Sequence, residues 1–178
     1  MSKKKWIFSA ITGLSILTIL LVFIWKKESN SKRTEWKIVA GMQAPHFTTS
    51  DINGQTISLN DFQGKYVLLD FWFTSCKPCQ KDTPQLKELR ERFSEDVLVI
   101  IGISVDREKE LVQAYVKEQG LDWIQIVDEI DNQKMINKLY HVPYYPTYFL
   151  IDPKGIVVDH LWDPIEVVDI LEKYKPQS

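Results

Sequence analysis

Residues 66–73 read YVLLDFWF, an apolar run interrupted by one carboxylate, Asp70. A run without alternation predicts a central strand buried on both faces. VLVIIGISV, residues 97–105, predicts a second strand of the same kind. Between them Leu86, Leu89 and Phe93 recur at helical spacing among charges, so a helix connects the two strands. Leu111, Val112, Tyr115 and Val116 mark another helix, closed by Gly120. WIQIV (123–127) reads as a short strand and residues 132–140 as a short helix. TYFLID and IVVDHLW, joined by PKG at 153–155, read as a hairpin, and residues 164–175 as a last amphipathic helix. Upstream, HFTTS (46–50) and QTISL (55–59) flank an Asn53-Gly54 turn signal, which predicts a leading hairpin. Strands alternating with helices, then a closing hairpin and helix, indicate an α/β sheet covered on both faces.

One segment breaks this pattern. WIFSAITGLSILTILLVFIW, residues 6–25, contains no charge. As a helix it would reach about 30 Å, the thickness of a bilayer's hydrocarbon core. Trp6 and Trp25 bracket it, where amphipathic rings favour the two interfaces. The segment runs into VFIWKKES, which offers no small-residue cleavage site. The expected organisation is a cytoplasmic tail at 1–5, a transmembrane anchor at 6–25, a polar linker at 26–36 and a globular domain at 37–178. Lysines stand on both sides of the span, so the positive-inside count does not orient it.

Composition narrows the function classes. A net charge of -2 with scattered basic residues argues against nucleic-acid binding. The hydrophobic share of 44% and charged share of 26% are those of a globular protein. No glycine cluster suggests a phosphate-binding loop.

The chemistry concentrates in two cysteines, Cys76 and Cys79, spaced C-K-P-C at the end of the first predicted strand. Placing Cys76 at a strand-to-helix junction aims unpaired backbone amides at its sulfur, and Lys77 adds a positive charge. Pro78 suits the first helical turn, where a missing N–H costs nothing. Cys79, one turn further along, is expected to be the more buried sulfur. The reaction expected of such a pair is thiol–disulfide exchange: Cys76 attacks, a mixed disulfide forms, and Cys79 resolves it. Zinc is disfavoured, because His46, His141 and His160 are scattered and no other cysteine exists. A purely structural bridge would close a tiny loop and remove little unfolded-state entropy.

VLLDFWFTSCKPC, with Pro84 five residues after the second cysteine, resembles the thioredoxin active site, and YYPTYFLID resembles the loop that carries that family's cis-proline. The lead-in from Gly41 to Trp72 is similar to TlpA/ResA-like and peroxiredoxin-like domains. With the anchor, the chain resembles membrane-tethered TlpA/ResA-like thiol-disulfide oxidoreductases of bacteria. The resemblance implies a thioredoxin-like fold with a central mixed sheet, a leading hairpin and an inserted helix and strand between Val105 and Pro146. It implies a cis bond at Pro146, leaving the backbone of Tyr145 free to pair with a substrate strand. Tyr145, Pro146, Thr147, Lys77, Pro78 and Trp72 are the substrate-binding residues it implies.

Asp70 matches the buried acid that takes the resolving cysteine's proton in thioredoxins. Asp82 matches the acid that ResA-like members carry three positions after the second cysteine. The chain therefore holds both. Ser75 departs from the tryptophan usual before the first cysteine, and His46 from the aspartate frequent at its position. The peroxidase pattern P-x-x-x-T-x-x-C fails, since Phe73 and Leu69 occupy its Thr and Pro positions.

The expected function is reduction of disulfides in client proteins outside the cytoplasmic membrane, such as apocytochrome c. The expected electron donor is a membrane protein of the CcdA/DsbD type. No cofactor is expected beyond the redox-active pair, and no metal. The alternatives are a disulfide oxidase or isomerase of the same fold, a peroxidase, and a non-catalytic binding module.

Overall fold

The structure, a computed structural model, describes residues 37–128 and 135–173. The anchor and linker segments, residues 1–36, lie outside the described residues. Among the described residues no helix is long and apolar enough to cross a membrane.

The leading hairpin pairs β1 (Thr48–Ser50) with β2 (Thr56–Ser58) antiparallel, Thr49 opposite Ile57. Its turn forms as the Asn-Gly pair demands: Gly54 takes φ 84°, and the Asp51 carboxylate accepts from the amides of Asn53 and Gln55 at 2.8 Å each. A capping box at Ser58 and Asp61 then starts the short 3-10 helix Leu59–Phe62.

A five-stranded sheet follows in the order β5-β4-β3-β6-β7. Its strands are β3 (Tyr66–Trp72), β4 (Leu98–Ser104), β5 (Ile124–Val127), β6 (Thr147–Ile151) and β7 (Val157–Leu161). β3 to β5 run parallel, and β6 and β7 run antiparallel, so the sheet is mixed. β3 lies in the middle, and every residue from Val67 to Trp72 is buried, which is why its sequence is continuous rather than alternating. The helices are α1 (Lys77–Arg92), α2 (Lys109–Gln119), α3 (Met135–Leu139) and α4 (Glu166–Lys173). α3 falls inside the predicted 132–140 helix, whose first three residues lie outside the described ones. α2 ends at Gly120 with φ 62°, the left-handed conformation for which glycine was expected there.

The two faces of β3 feed two cores. Leu68 and Trp72 join a cluster with Cys76, Cys79, Leu86, Leu89, Val112 and Leu171, under α1, α2 and α4. Val67, Leu69 and Phe71 join the opposite cluster with Phe47, Tyr140 and Phe149. Asp70, between Leu68 and Trp72, shares their face because strand side chains alternate. The N-terminal segment also meets the sheet at its two outer strands. Gln43 bridges Ile156, and the Gly41 amide donates to Val157 O at 2.8 Å; on the other side Asp51 bridges Ile126, and the Ile52 amide donates to Gln125 O at 2.8 Å.

Candidate active site

The chain leaves β3 at Trp72, turns through Phe73, Thr74 and Ser75, and enters α1 with Cys76 as its N-cap. The Cys76 sulfur accepts from the Cys79 amide at 3.2 Å, so an unpaired donor of the first turn points at it. Pro78 sits in that first turn, and Pro84 lies inside the helix. Cys76 and Cys79 form a disulfide with sulfurs 2.01 Å apart. Both residues are buried, Cys76 at 3% exposure and Cys79 at 6%, which reverses the expected order. Position along a helix gives depth only relative to that helix. Here Phe73 and Tyr145 also pack against the cluster that holds both sulfurs. Lys77 is exposed, and its ammonium donates to Gln80 Oε1 at 3.3 Å.

A carboxylate braces the entry loop. Asp106, just past the end of β4, accepts from the Thr74 amide at 2.8 Å, from Thr74 Oγ1 at 3.0 Å and from Ser104 Oγ at 2.8 Å. Gln80 Nε2 donates to Thr74 O at 2.8 Å, tying the same loop to α1. The residues before the cysteines are therefore fixed from the β4 side and from the helix they start.

The second wall is the segment before β6. The Tyr145–Pro146 bond is cis. The Tyr145 ring meets Phe73 edge-on at 5.5 Å, and Phe73 O accepts the Cys76 amide at 3.0 Å. This contact brings the proline loop to the cysteine loop. Tyr145 is fixed at its far end by Asn137 Nδ2, which donates to its hydroxyl at 2.6 Å. Thr147 is buried, donating from Oγ1 to Tyr144 O at 2.8 Å. Trp72 packs within the cysteine cluster, and its Nε1 donates to Gln125 Oε1 at 3.2 Å.

Two acids lie on this face. Asp70 is 4% exposed, and its Oδ1 has no hydrogen-bond partner among the described residues. Burial pushes its carboxyl up to about 8, and the nearby charge of Asp82 adds to the shift. Asp82 is half-buried on α1 and accepts from the Tyr148 hydroxyl at 3.0 Å. Its carboxyl is raised too: burial lifts it, the Tyr148 bond opposes that, and the charge of Asp163 adds a smaller upward push. A buried acid near 8 and a thiol of ordinary pKa about 8.5 exchange a proton at little cost.

The comparisons with known proteins agree with this geometry. The AhpC/TSA family profile matches residues 40–160. The chain is 36% identical over 161 residues to the thiol-disulfide oxidoreductase ResA of Bacillus cereus, covering 90% of each chain. It is 33% identical over 159 residues to the thioredoxin-like protein YneN of Bacillus subtilis, covering 88% of each. The chain belongs to the AhpC/TSA family, among its ResA-like thiol-disulfide oxidoreductases. In structure this ResA-like protein is similar to the thioredoxin domain of a thiol-disulfide oxidoreductase from Bacteroides vulgatus. The TM-score is 0.71 at 34% identity, over 79% of this chain and 100% of that one. The fold is thus thioredoxin-like, and the activity is thiol–disulfide exchange through the Cys76/Cys79 pair.

The structure brings Cys76, Cys79, Trp72 and Tyr145 into one packed cluster and sets Asp70 and Asp82 on the same side of the sheet. Lys77 and Pro78 line the exposed start of α1. Four neighbours were not found from the sequence. Asp106 stands at the carboxyl end of a parallel strand beside β3, a location from which it could have been suspected. Tyr148 reads as one more aromatic in a buried strand. Gln125 and Gly102 are register partners, and a Cβ on Gly102 would come within 2.2 Å of Gln125 Oε1. Glycine there makes room for the amide that holds Trp72.

Proposed function

We propose that this ResA-like oxidoreductase works as a reductase of client disulfides on the outer side of the bacterial cytoplasmic membrane, anchored by residues 6–25. Apocytochrome c is the kind of client suggested by the likeness to ResA. A membrane donor of the CcdA/DsbD type restores the dithiol, and the Cys76/Cys79 pair is the sole redox group. The uncharged run from Trp6 to Trp25 supports the anchor. Having no thiol besides the active pair suits an oxidising compartment, where a spare one would mispair.

The observation that carries the redox direction is the burial of Asp70 on the face that holds the disulfide. Strong disulfide donors owe their potential to a stabilised thiolate in the reduced form. Lys77 and the helix N-terminus push that way, but Lys77 is exposed and its charge is screened. The half-buried Asp82 carboxylate opposes a thiolate, and the burial that keeps Asp70 protonated disfavours a further negative charge on this face.

In the proposed cycle the Cys76 thiolate attacks a client disulfide. A Cys76–client disulfide forms, and the released client thiolate takes a proton from water. Cys79 then gives its proton to Asp70 in its ionised form and attacks Cys76. The second client sulfur leaves as a thiolate. Two electrons have passed to the client, and the protein is left with its disulfide. Re-reduction by a donor dithiol reverses the proton transfer.

The test is the reduction potential of the purified full chain at pH 7 in thiol–disulfide buffers. A value at or below about -250 mV is expected. A value near about -120 mV would overturn the reductase reading in favour of a disulfide donor.

A further inference from the structure

Two carboxylates lie on the face that holds the disulfide, and a buried hydroxyl bonds one of them. Tyr148 is fully buried on β6 and is the register partner of Asp70 on β3. Register partners on neighbouring strands share a face, so the ring of Tyr148 and the carboxyl of Asp70 lie on the side covered by α1. The Tyr148 hydroxyl does not bond its strand neighbour. It donates instead to Asp82 Oδ2, 66 residues away in sequence, at 3.0 Å. Asp82 is three residues beyond Cys79, on the same side of α1. The other groups facing this point are Lys81 and Gln85 on α1 and Asp163 after β7. Asp163 is itself engaged: Oδ1 accepts the Ile165 amide at 3.0 Å and Oδ2 accepts Gln85 Nε2 at 3.5 Å.

We propose that Tyr148 is a positioning residue that assigns separate duties to the two acids. By hydrogen-bonding Asp82, it holds that carboxylate as the charged, solvent-side member and leaves Asp70 as the inner member that carries the exchangeable proton. The physical reason is the asymmetry of the donor. A phenol has one proton to give, and whichever carboxylate receives it is stabilised as an anion. Asp82 receives it, and its negative charge then favours the protonated form of Asp70. The inference rests on the proposed role of Asp70, but its test reads carboxyl titrations and not redox direction, so the two fail separately.

The test is carbon NMR titration of the Asp70 and Asp82 carboxyls in the full chain, in the disulfide form. Tyr148→Phe and Asp82→Asn are compared with the unchanged protein. Tyr148→Phe keeps the ring and is expected to raise the proton affinity of Asp82 about tenfold or more, the loss of one charge-assisted hydrogen bond. Asp82→Asn is expected to lower the proton affinity of Asp70. In the unchanged chain, the ring carbon bearing the Tyr148 hydroxyl should shift with the Asp82 midpoint, a reading that needs no variant to fold. The proposal is overturned if Tyr148→Phe leaves the Asp82 midpoint in place, or if the Tyr148 carbon follows Asp70 alone.

Discussion

The two faces of the sheet are made from alternate residues of the same strands, yet they are built to different rules. On the face away from α1, Phe71, Phe149 and Tyr140 meet at ring distances of 5.3 to 6.0 Å. The only polar tip in that aromatic group, the Tyr140 hydroxyl, is satisfied by Pro45 O at 2.8 Å. On the α1 face the same strands carry Asp70, Tyr148 and Gln125 inside an otherwise apolar core. Asp70 Oδ1 and Gln125 Nε2 have no hydrogen-bond partners among the described residues. The aromatic group on one face follows close packing, with its one hydroxyl satisfied. The other face accepts buried polar groups, which cost stability, and places them around a reactive disulfide.

Five substitutions test that division. Cys79→Ser is expected to reduce turnover of disulfide substrates to background. It should also accumulate Cys76-linked mixed disulfides, measurable by mass spectrometry of trapped species; free Cys76 after substrate exposure would break the assignment of the resolving thiol. Phe149→Ala, on the apolar face, should cost about 3–5 kcal/mol in urea unfolding while leaving the reduction potential unchanged. A shifted potential would mean that the faces are coupled.

Asp70→Asn tests the α1 face through pH. Its carboxyl is raised from 3.8 to about 8, so the folded state holds a proton that the unfolded chain releases between those values. The stability linked to Asp70 is therefore complete below the unfolded value and declines as pH rises through the folded one. The decline is about 1.4 kcal/mol per pH unit across that window. Asp70→Asn should flatten this slope in urea titrations at several pH values and slow the resolution of mixed disulfides by about a hundredfold. An unchanged slope would mean that Asp70 is not the buried titrating group. The smallest effect is expected from Thr74→Val, which removes one hydrogen bond to Asp106 and should cost about 1 kcal/mol. Its more telling readout is the rate of the first attack, which a looser cysteine loop would lower.

Gly102→Ala adds a packing test of the α1 face. The new methyl would meet Gln125 Oε1 at 2.2 Å, and Gln125 is buried and bonded to Trp72. A loss of about 1–3 kcal/mol is expected, partly restored by adding Gln125→Ala. No restoration would place the strain elsewhere.

Much of this was legible in the sequence. Continuous burial makes β3 and β4 stand out, because a strand covered on both sides has no polar positions to confuse its period. The Asn53-Gly54 turn and the Gly120 helix end were legible because each needs a backbone conformation that few residues accept. Cys76 and Cys79 were legible because their chemistry is local. What could not be read was contact across the fold. Asp106 braces Thr74 from 32 residues away, and Tyr148 reaches Asp82 from 66. Nothing in local spacing signals either pairing.

The segment before the first long strand has a further consequence. Residues 41–44 lie against the start of β7 and residues 51–52 against β5, so one stretch of chain caps part of each margin of the five-stranded sheet. An unshielded margin is a row of free amides and carbonyls that can recruit another chain. Where a margin is capped, another polypeptide finds no row of free groups to pair with. The lead-in is thus as much a guard against self-association as a part of the fold.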